Sequence, residues 1–178
     1  MMEQINVFDL LSASDPLAEY ADKLMLFGQF VGSWDMDGTW YDRSGGLKKG
    51  KGEWHFAWIL GGRGIQDVLF ASGALPHQRG TSLRCYDIAK DVWHVVWMQP
   101  ASSEFVHLTG QKVGERIALE GVDFGQGPLR RWSFIDITPN SFTWLGEVLN
   151  EDGVTWFLEQ EMRGVRRTNP GNLPASEV

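Results

Sequence analysis

From Ser33 onward the chain alternates. Trp34, Met36, Gly38 and Trp40 fall on one side of an extended segment, and Asp35, Asp37, Thr39 and Tyr41 on the other. A period of two with one apolar side is what a half-buried β-strand requires. Residues 49–59 repeat the pattern, with Trp54, Phe56 and Trp58 on one face and His55 and Ala57 on the other. Further strands are predicted over 63–71, 80–87, 91–98, 104–111, 115–121, 128–137, 141–149 and 154–165, which with 33–42 and 49–59 make ten. Turn residues join them: Ser44-Gly45-Gly46, Gly61-Gly62, Ala74-Leu75-Pro76, Lys90-Asp91, Val113-Gly114, Pro139-Asn140 and Asp152-Gly153.

Ahead of the strands the period is helical. Leu17, Tyr20, Ala21, Leu24, Phe27 and Phe30 recur at helical spacing behind Asp15-Pro16, a good N-cap and first helical residue. An amphipathic helix over about 16–29 is expected. Residues 1–14 read as loosely ordered, 15–167 as one domain, and 168–178, rich in Pro, Asn and Gly, as a flexible tail.

No helical segment separates the strands, so parallel βαβ units are excluded. Ten antiparallel strands in sequence order expose two edges unless the sheet closes. The expected fold is therefore all-β: an up-and-down antiparallel β-barrel of about ten strands, one end capped by the short N-terminal helix. Its interior can hold a small ligand. A two-sheet sandwich is the structural rival.

Composition narrows the classes. The 178 residues suit one domain, and 43% hydrophobic content excludes disorder as a default. The longest apolar run is far below the ~18 residues of a membrane helix, and the N-terminal residues show no basic region ahead of an apolar stretch. A single cysteine, Cys85, forms no internal disulfide and reads as a small buried apolar residue. A reducing, cytoplasmic setting is the simplest expectation. The net charge of −7, without a basic face, disfavours nucleic acid. Nine Trp and ten Phe stand out. They suit a core, a cavity wall or a subunit interface.

Candidate chemistry is sparse. With Gly61-Gly62 as a two-residue turn, Trp58 faces Ile65, Phe56 faces Asp67 and Trp54 faces Leu69. Asp67 then shares the aromatic, inner face. A turn one residue longer moves it outside. The strand at 128–137 places an arginine, Arg130 or Arg131, on whichever face is inner. That arginine would pair with Asp67 or hold a ligand carboxylate. In the last strand Trp156, Leu158, Gln160 and Met162 form the more apolar face, and Glu159, Glu161 and Arg163 a charged one. The opposite register would bring two carboxylates into the cavity as an acid/base pair. A Val113-Gly114 turn would set His107 opposite Glu120. The four histidines are scattered, so no metal site is expected, and there is no GxSxG, P-loop or HExxH motif.

Gly32-Ser33-Trp34, entering the first strand after a short helix, resembles the calycin superfamily of lipocalins and fatty-acid-binding proteins. The resemblance implies that Trp34 closes the barrel floor against an arginine near the last strand: Arg163, Arg166 or Arg167. Three further stretches resemble a bacterial calycin-like family of unknown function. They are Gly52-Glu53-Trp54-His55-Phe56-Ala57-Trp58 running on to Arg63-Gly64-Ile65-Gln66-Asp67-Val68, Arg131-Trp132-Ser133-Phe134-Ile135-Asp136-Ile137-Thr138, and Thr155-Trp156-Phe157-Leu158-Glu159-Gln160-Glu161-Met162-Arg163. Together they imply a closed barrel with a small-molecule cavity. The second and third lipocalin signatures are absent, as is the Arg-x-Tyr pair of fatty-acid-binding proteins. Haem-binding calycins of the nitrobindin type use a late-strand histidine, and none follows His107, so no cofactor is implied.

The expected function is binding of a small, largely apolar or aromatic ligand inside the barrel. Trp34, Met36, Trp40, Trp54, Phe56, Trp58, Trp156 and Leu158 would line or floor the cavity. Asp67, Arg131 and Gln160 would orient the ligand's polar end. The alternatives are a cofactor-free isomerase, cyclase or lyase using Asp67 or Glu159, and a homodimeric interaction module built on the surplus aromatics. No membrane partner is expected.

Overall fold

A computed structural model of the chain describes residues 6–124 and 127–168. Ten antiparallel strands close into a barrel, each paired with its neighbours in sequence, the first with the last. They are β1 (Gly32–Tyr41), β2 (Leu47–Ile59), β3 (Gly64–Ala71), β4 (Gly80–Asp87), β5 (Val92–Gln99), β6 (Glu104–Val113), β7 (Arg116–Asp123), β8 (Arg130–Ile135), β9 (Ser141–Leu149) and β10 (Trp156–Arg166). The expected barrel is borne out and the sandwich is not. Closure of β1 on β10, from Trp34↔Arg166 to Trp40↔Gln160, removes both sheet edges. Among the described residues no helix is long and apolar enough to cross a membrane.

The N-terminal segment departs from the single helix expected over 16–29. A short helix, α1 (Val7–Leu11), is capped by the Asn6 side chain and buries nothing. Then come one 3-10 turn (Ala18–Tyr20) and α2 (Ala21–Gly28). Asp15-Pro16 does not start the helix because the segment is held elsewhere: Leu17 N–H donates to the Gly62 carbonyl at 3.1 Å. Gly62 has φ +82, and a Cβ there would press into the backbone of residues 15–17. Only glycine permits both.

α2 lies across one end of the barrel. Leu24, Phe27 and Phe30 are fully buried there. Phe27 meets Trp93 and Phe134 at ring-centroid distances of 4.9 and 5.8 Å, and Phe30 meets Phe134 and Phe142 at 4.8 and 5.0 Å. Gly28 lets the helix descend onto the indole of Trp58.

Two registers test the turn arithmetic. β2 and β3 pair as expected, with Trp54↔Leu69, Phe56↔Asp67 and Trp58↔Ile65. The connection is longer than two residues, since pairing stops at Ile59↔Gly64, but the two extra unpaired positions are symmetric and the register survives. Between β6 and β7 the turn is Gly114-Glu115, one residue later than expected. His107 therefore faces Val122, not Glu120. A shift of two pairing positions preserves the face, so His107 stays outside.

Candidate functional site

The end of the barrel opposite α2 is open. A cavity of about 500 Å³ occupies this half. It lies within the range of small-molecule sites, roughly 300–1,000 Å³. Five tryptophans line it: Trp40, Trp54, Trp97, Trp132 and Trp144. Four form an arc of edge-on contacts, Trp97 to Trp132 at 6.2 Å, Trp132 to Trp144 at 5.5 Å and Trp144 to Trp54 at 6.3 Å. Met36, Leu69 and Met162 supply aliphatic wall between them.

Glycines on neighbouring inner positions keep the space open. A Cβ at Gly80 would be driven into the Trp97 ring, one at Gly146 would lie 2.6 Å from Trp144, and one at Gly38 2.9 Å from Trp40. Each indole rests against backbone where a side chain would otherwise stand. The rings thus lie along the wall and do not cross the lumen.

Polar groups sit at two depths. Beneath the cavity, Asp67 and Arg84 form a fully buried ion pair, with the Ser82 N–H donating to Asp67 Oδ1 at 2.9 Å. The Arg84 guanidinium packs near Phe27, Trp54 and Phe56, 5.3 to 5.9 Å from their centroids. A buried charge requires this kind of pairing. Two wall residues beside the pair carry buried polar atoms without a partner, Trp54 Nε1 and Ser82 Oγ.

At the mouth, Arg130 donates through Nε to Asp123 at 3.1 Å and through Nη1 to Glu159 at 3.0 Å. Burial disfavours its cation, but the bond to Asp123 and the fields of Asp123, Glu159 and Glu104 outweigh this and raise its pKa. Trp97 Nε1 donates to Glu104 Oε2 at 3.0 Å, which fixes the ring's orientation.

The residues expected at the site divide into three groups. Met36, Trp40, Trp54 and Gln160 line the cavity. Trp34, Phe56, Trp58 and Asp67 are buried below it and fill the barrel rather than face the open space. Trp34 closes the floor as the resemblance implied. Its Nε1 donates to the Phe30 carbonyl at 2.7 Å, and its partner is Arg166, 4.1 Å above the ring. Arg166 also donates to the carbonyls of Gln29, Val31 and Pro139.

Arg131, Trp156 and Leu158 are corrections. A bulge in β10 between Leu158 and Gln160 reverses the faces beyond it, because one extra residue shifts a period-two pattern by half a cycle. Gln160 and Met162 keep the inner face. Trp156 and Leu158 fall outside, and Glu159, in the bulge, reaches the cavity. Arg131 is also outside: it makes a two-pronged pair with Glu147 at 2.9 Å and covers Trp156 at 4.1 Å. The inner arginine of β8 is Arg130.

Neither β8 arginine meets Asp67; that partner is Arg84. The register could have shown it, since Asp67↔Ser82 and Ile65↔Arg84 pair across β3 and β4. The apolar residues Leu83 and Cys85 concealed it by suggesting the opposite face. Cys85 is half-buried on the outer side, and burial raises its thiol pKa. Trp97, Trp132, Trp144, Glu104 and Ser82 were likewise absent from the expected wall.

The histidines lie away from the cavity. His55 contacts Ser33 and Glu53, His94 and His107 stack at 5.5 Å on the outer surface, and His77 sits in a 3-10 turn.

No family profile matches the chain, and no curated protein matches it by sequence. By structure it is similar to Rv2717c from M. tuberculosis, at 17% identity and a TM-score of 0.58, covering 86% of this chain and 99% of that one. It is also similar to the S-type phycobiliprotein lyase CPES from Guillardia theta, at 10% identity and a TM-score of 0.55, with the same coverage. At these identities the likeness is one of fold, a ten-stranded calycin-like barrel.

Proposed function

We propose that this barrel binds a small, largely apolar or aromatic molecule in its open half. The observation that carries the reading is the cavity of about 500 Å³ walled by five tryptophans and held open by glycines. A core with no ligand to hold has no use for space beside its largest side chains, since native interiors pack to crystal density. The few polar groups, Ser82, Gln160, Glu104 and the Arg130 cluster, suit orientation of a polar end. The calycin-like fold agrees with this reading.

Acid/base catalysis has weaker support. Asp67 is bound by Arg84 and a backbone N–H beneath the cavity, and Glu159 is bound by Arg130. Neither is a free base. The interface reading loses its motive, because seven of the nine tryptophans are buried inside the barrel.

The test is an equilibrium titration of tryptophan fluorescence with a hydrophobic naphthalene probe. Saturable quenching is expected, and Gly80→Leu, which fills the wall beside Trp97, should abolish it. No change at saturating probe, with the protein folded by circular dichroism, defeats the proposal.

A further inference from the structure

The charges around the mouth do not suit a carboxylate ligand. Arg130 is the inward-facing cation there, and it is already bound by Asp123 and Glu159. Lys51, also at the rim, turns outward to Asp37 at 2.8 Å. Around the single Arg130 cation stand three carboxylates, the cavity-lining Glu104 and Glu159 and, behind the lining, Asp123; with the lining Lys51 paired to Asp37, this cluster carries an excess of two negative charges. The chain as a whole carries −7, so the long-range field has the same sign. The Asp67–Arg84 pair below is neutral in sum and does not alter this balance.

The ring faces point the same way. The chain supplies its own cations to some tryptophans: Arg166 over Trp34 and Arg131 over Trp156 outside the cavity, and Arg84 near Trp54 at its deep end. Among the described residues no cation stands over Trp40, Trp97, Trp132 or Trp144. An indole face attracts a cation within about 6 Å, most strongly when both are withdrawn from water. Here such faces sit beside a carboxylate cluster of net negative charge at the entrance of a cavity.

We infer that the cavity selects an organic cation, an amine or quaternary ammonium on an apolar body. This rests on the reading of the cavity as a ligand site. The charged head lies at the mouth among Trp97, Trp132, Trp144, Glu104 and Glu159. The apolar body extends down past Met36 and Leu69. Trp54 Nε1 and Ser82 Oγ, the two unpartnered polar atoms of the wall, favour a hydrogen-bond acceptor at the deep end.

The experiment is calorimetric titration with three probes of one size: trimethyl(2-naphthyl)ammonium, its neutral isostere 2-tert-butylnaphthalene, and 2-naphthalenesulfonate. The cation is expected to bind about tenfold tighter than the neutral probe, with the sulfonate weakest. Glu104→Gln and Glu159→Gln should each narrow that gap, read as the ratio of the two affinities within each variant; Glu104→Gln retains an acceptor for Trp97. Equal or tighter binding of the neutral probe or the sulfonate overturns cation selection and leaves the cavity reading intact. Binding of none of the three by folded protein overturns both.

Discussion

The two ends of this barrel use the same residue types to opposite effect. At the closed end Phe30, Trp34, Phe134 and Phe142 are fully buried, with ring centroids 4.8 to 6.3 Å apart. Each ring faces another, and the Trp34 indole N–H has its acceptor. At the open end Trp97, Trp132 and Trp144 remain 6 to 8% exposed, and open space lies on their inner side. Trp97 and Trp144 rest against the glycine-bearing backbone of Gly80 and Gly146, and Trp132 touches both rings edge-on. The number of tryptophans does not distinguish a filled core from a cavity wall. What stands opposite each ring does.

The sharpest contrast is Phe30→Ala against Trp144→Ala. Removing Phe30 leaves a void at the packed end, and a loss of about 3–5 kcal/mol is expected in urea unfolding. Trp144 already borders open space, so its removal should cost less than about 2 kcal/mol while weakening probe binding. Equal losses at the two positions would erase the distinction between the ends.

Arg84→Met tests the polar layer between the two halves. It strands Asp67 in the interior, and about 3–5 kcal/mol of stability should be lost. The double variant Asp67→Leu with Arg84→Met should recover most of it, because an apolar pair avoids the desolvation penalty. If the double variant is as unstable as the single, the pair itself holds the fold together.

Gly80→Ala is expected to destabilise by about 1–3 kcal/mol through overpacking. Its larger effect should be on the site, because Trp97 must swing into the lumen. A several-fold loss of probe affinity is the expected readout, and unchanged affinity would show that the glycine seat does not shape the cavity.

The smallest effect concerns Glu53, on the outer surface. Its bonds to Arg167 and His55 outweigh burial and hold its carboxyl below the ordinary range. The stabilisation is complete above the unfolded carboxyl's pKa and is lost as pH falls through the lower folded value. Glu53→Gln should therefore cost at most about 1 kcal/mol near neutral pH, and the difference should vanish in acid. A deficit that persists in acid would mean the charge is not responsible.

Much of this fold was legible because strand patterning is local. Trp34 to Trp40 and Trp54 to Trp58 announce their faces, and Gly61-Gly62 set the β2–β3 register and hence the inward position of Asp67. The site was less legible. The bulge at Glu159 has no glycine or proline to mark it, yet it reverses the outer half of β10 and sends Trp156 and Leu158 outside. Arg84 was hidden by more apolar neighbours. A buried arginine is tolerated only when a carboxylate waits across the strand, and that is a fact about two strands together.

The amino-acid sequence by itself determined the strands, their order and the closure into a barrel, since each follows from periodicity, turn chemistry or the need to cover sheet edges. The tertiary structure alone decided which arginine neutralises Asp67, which glutamate reaches the lumen and which tryptophans face empty space. Those outcomes depend on what stands opposite a side chain across the barrel. That is set by bulges and by cross-strand partners far apart along the chain, not by any local pattern.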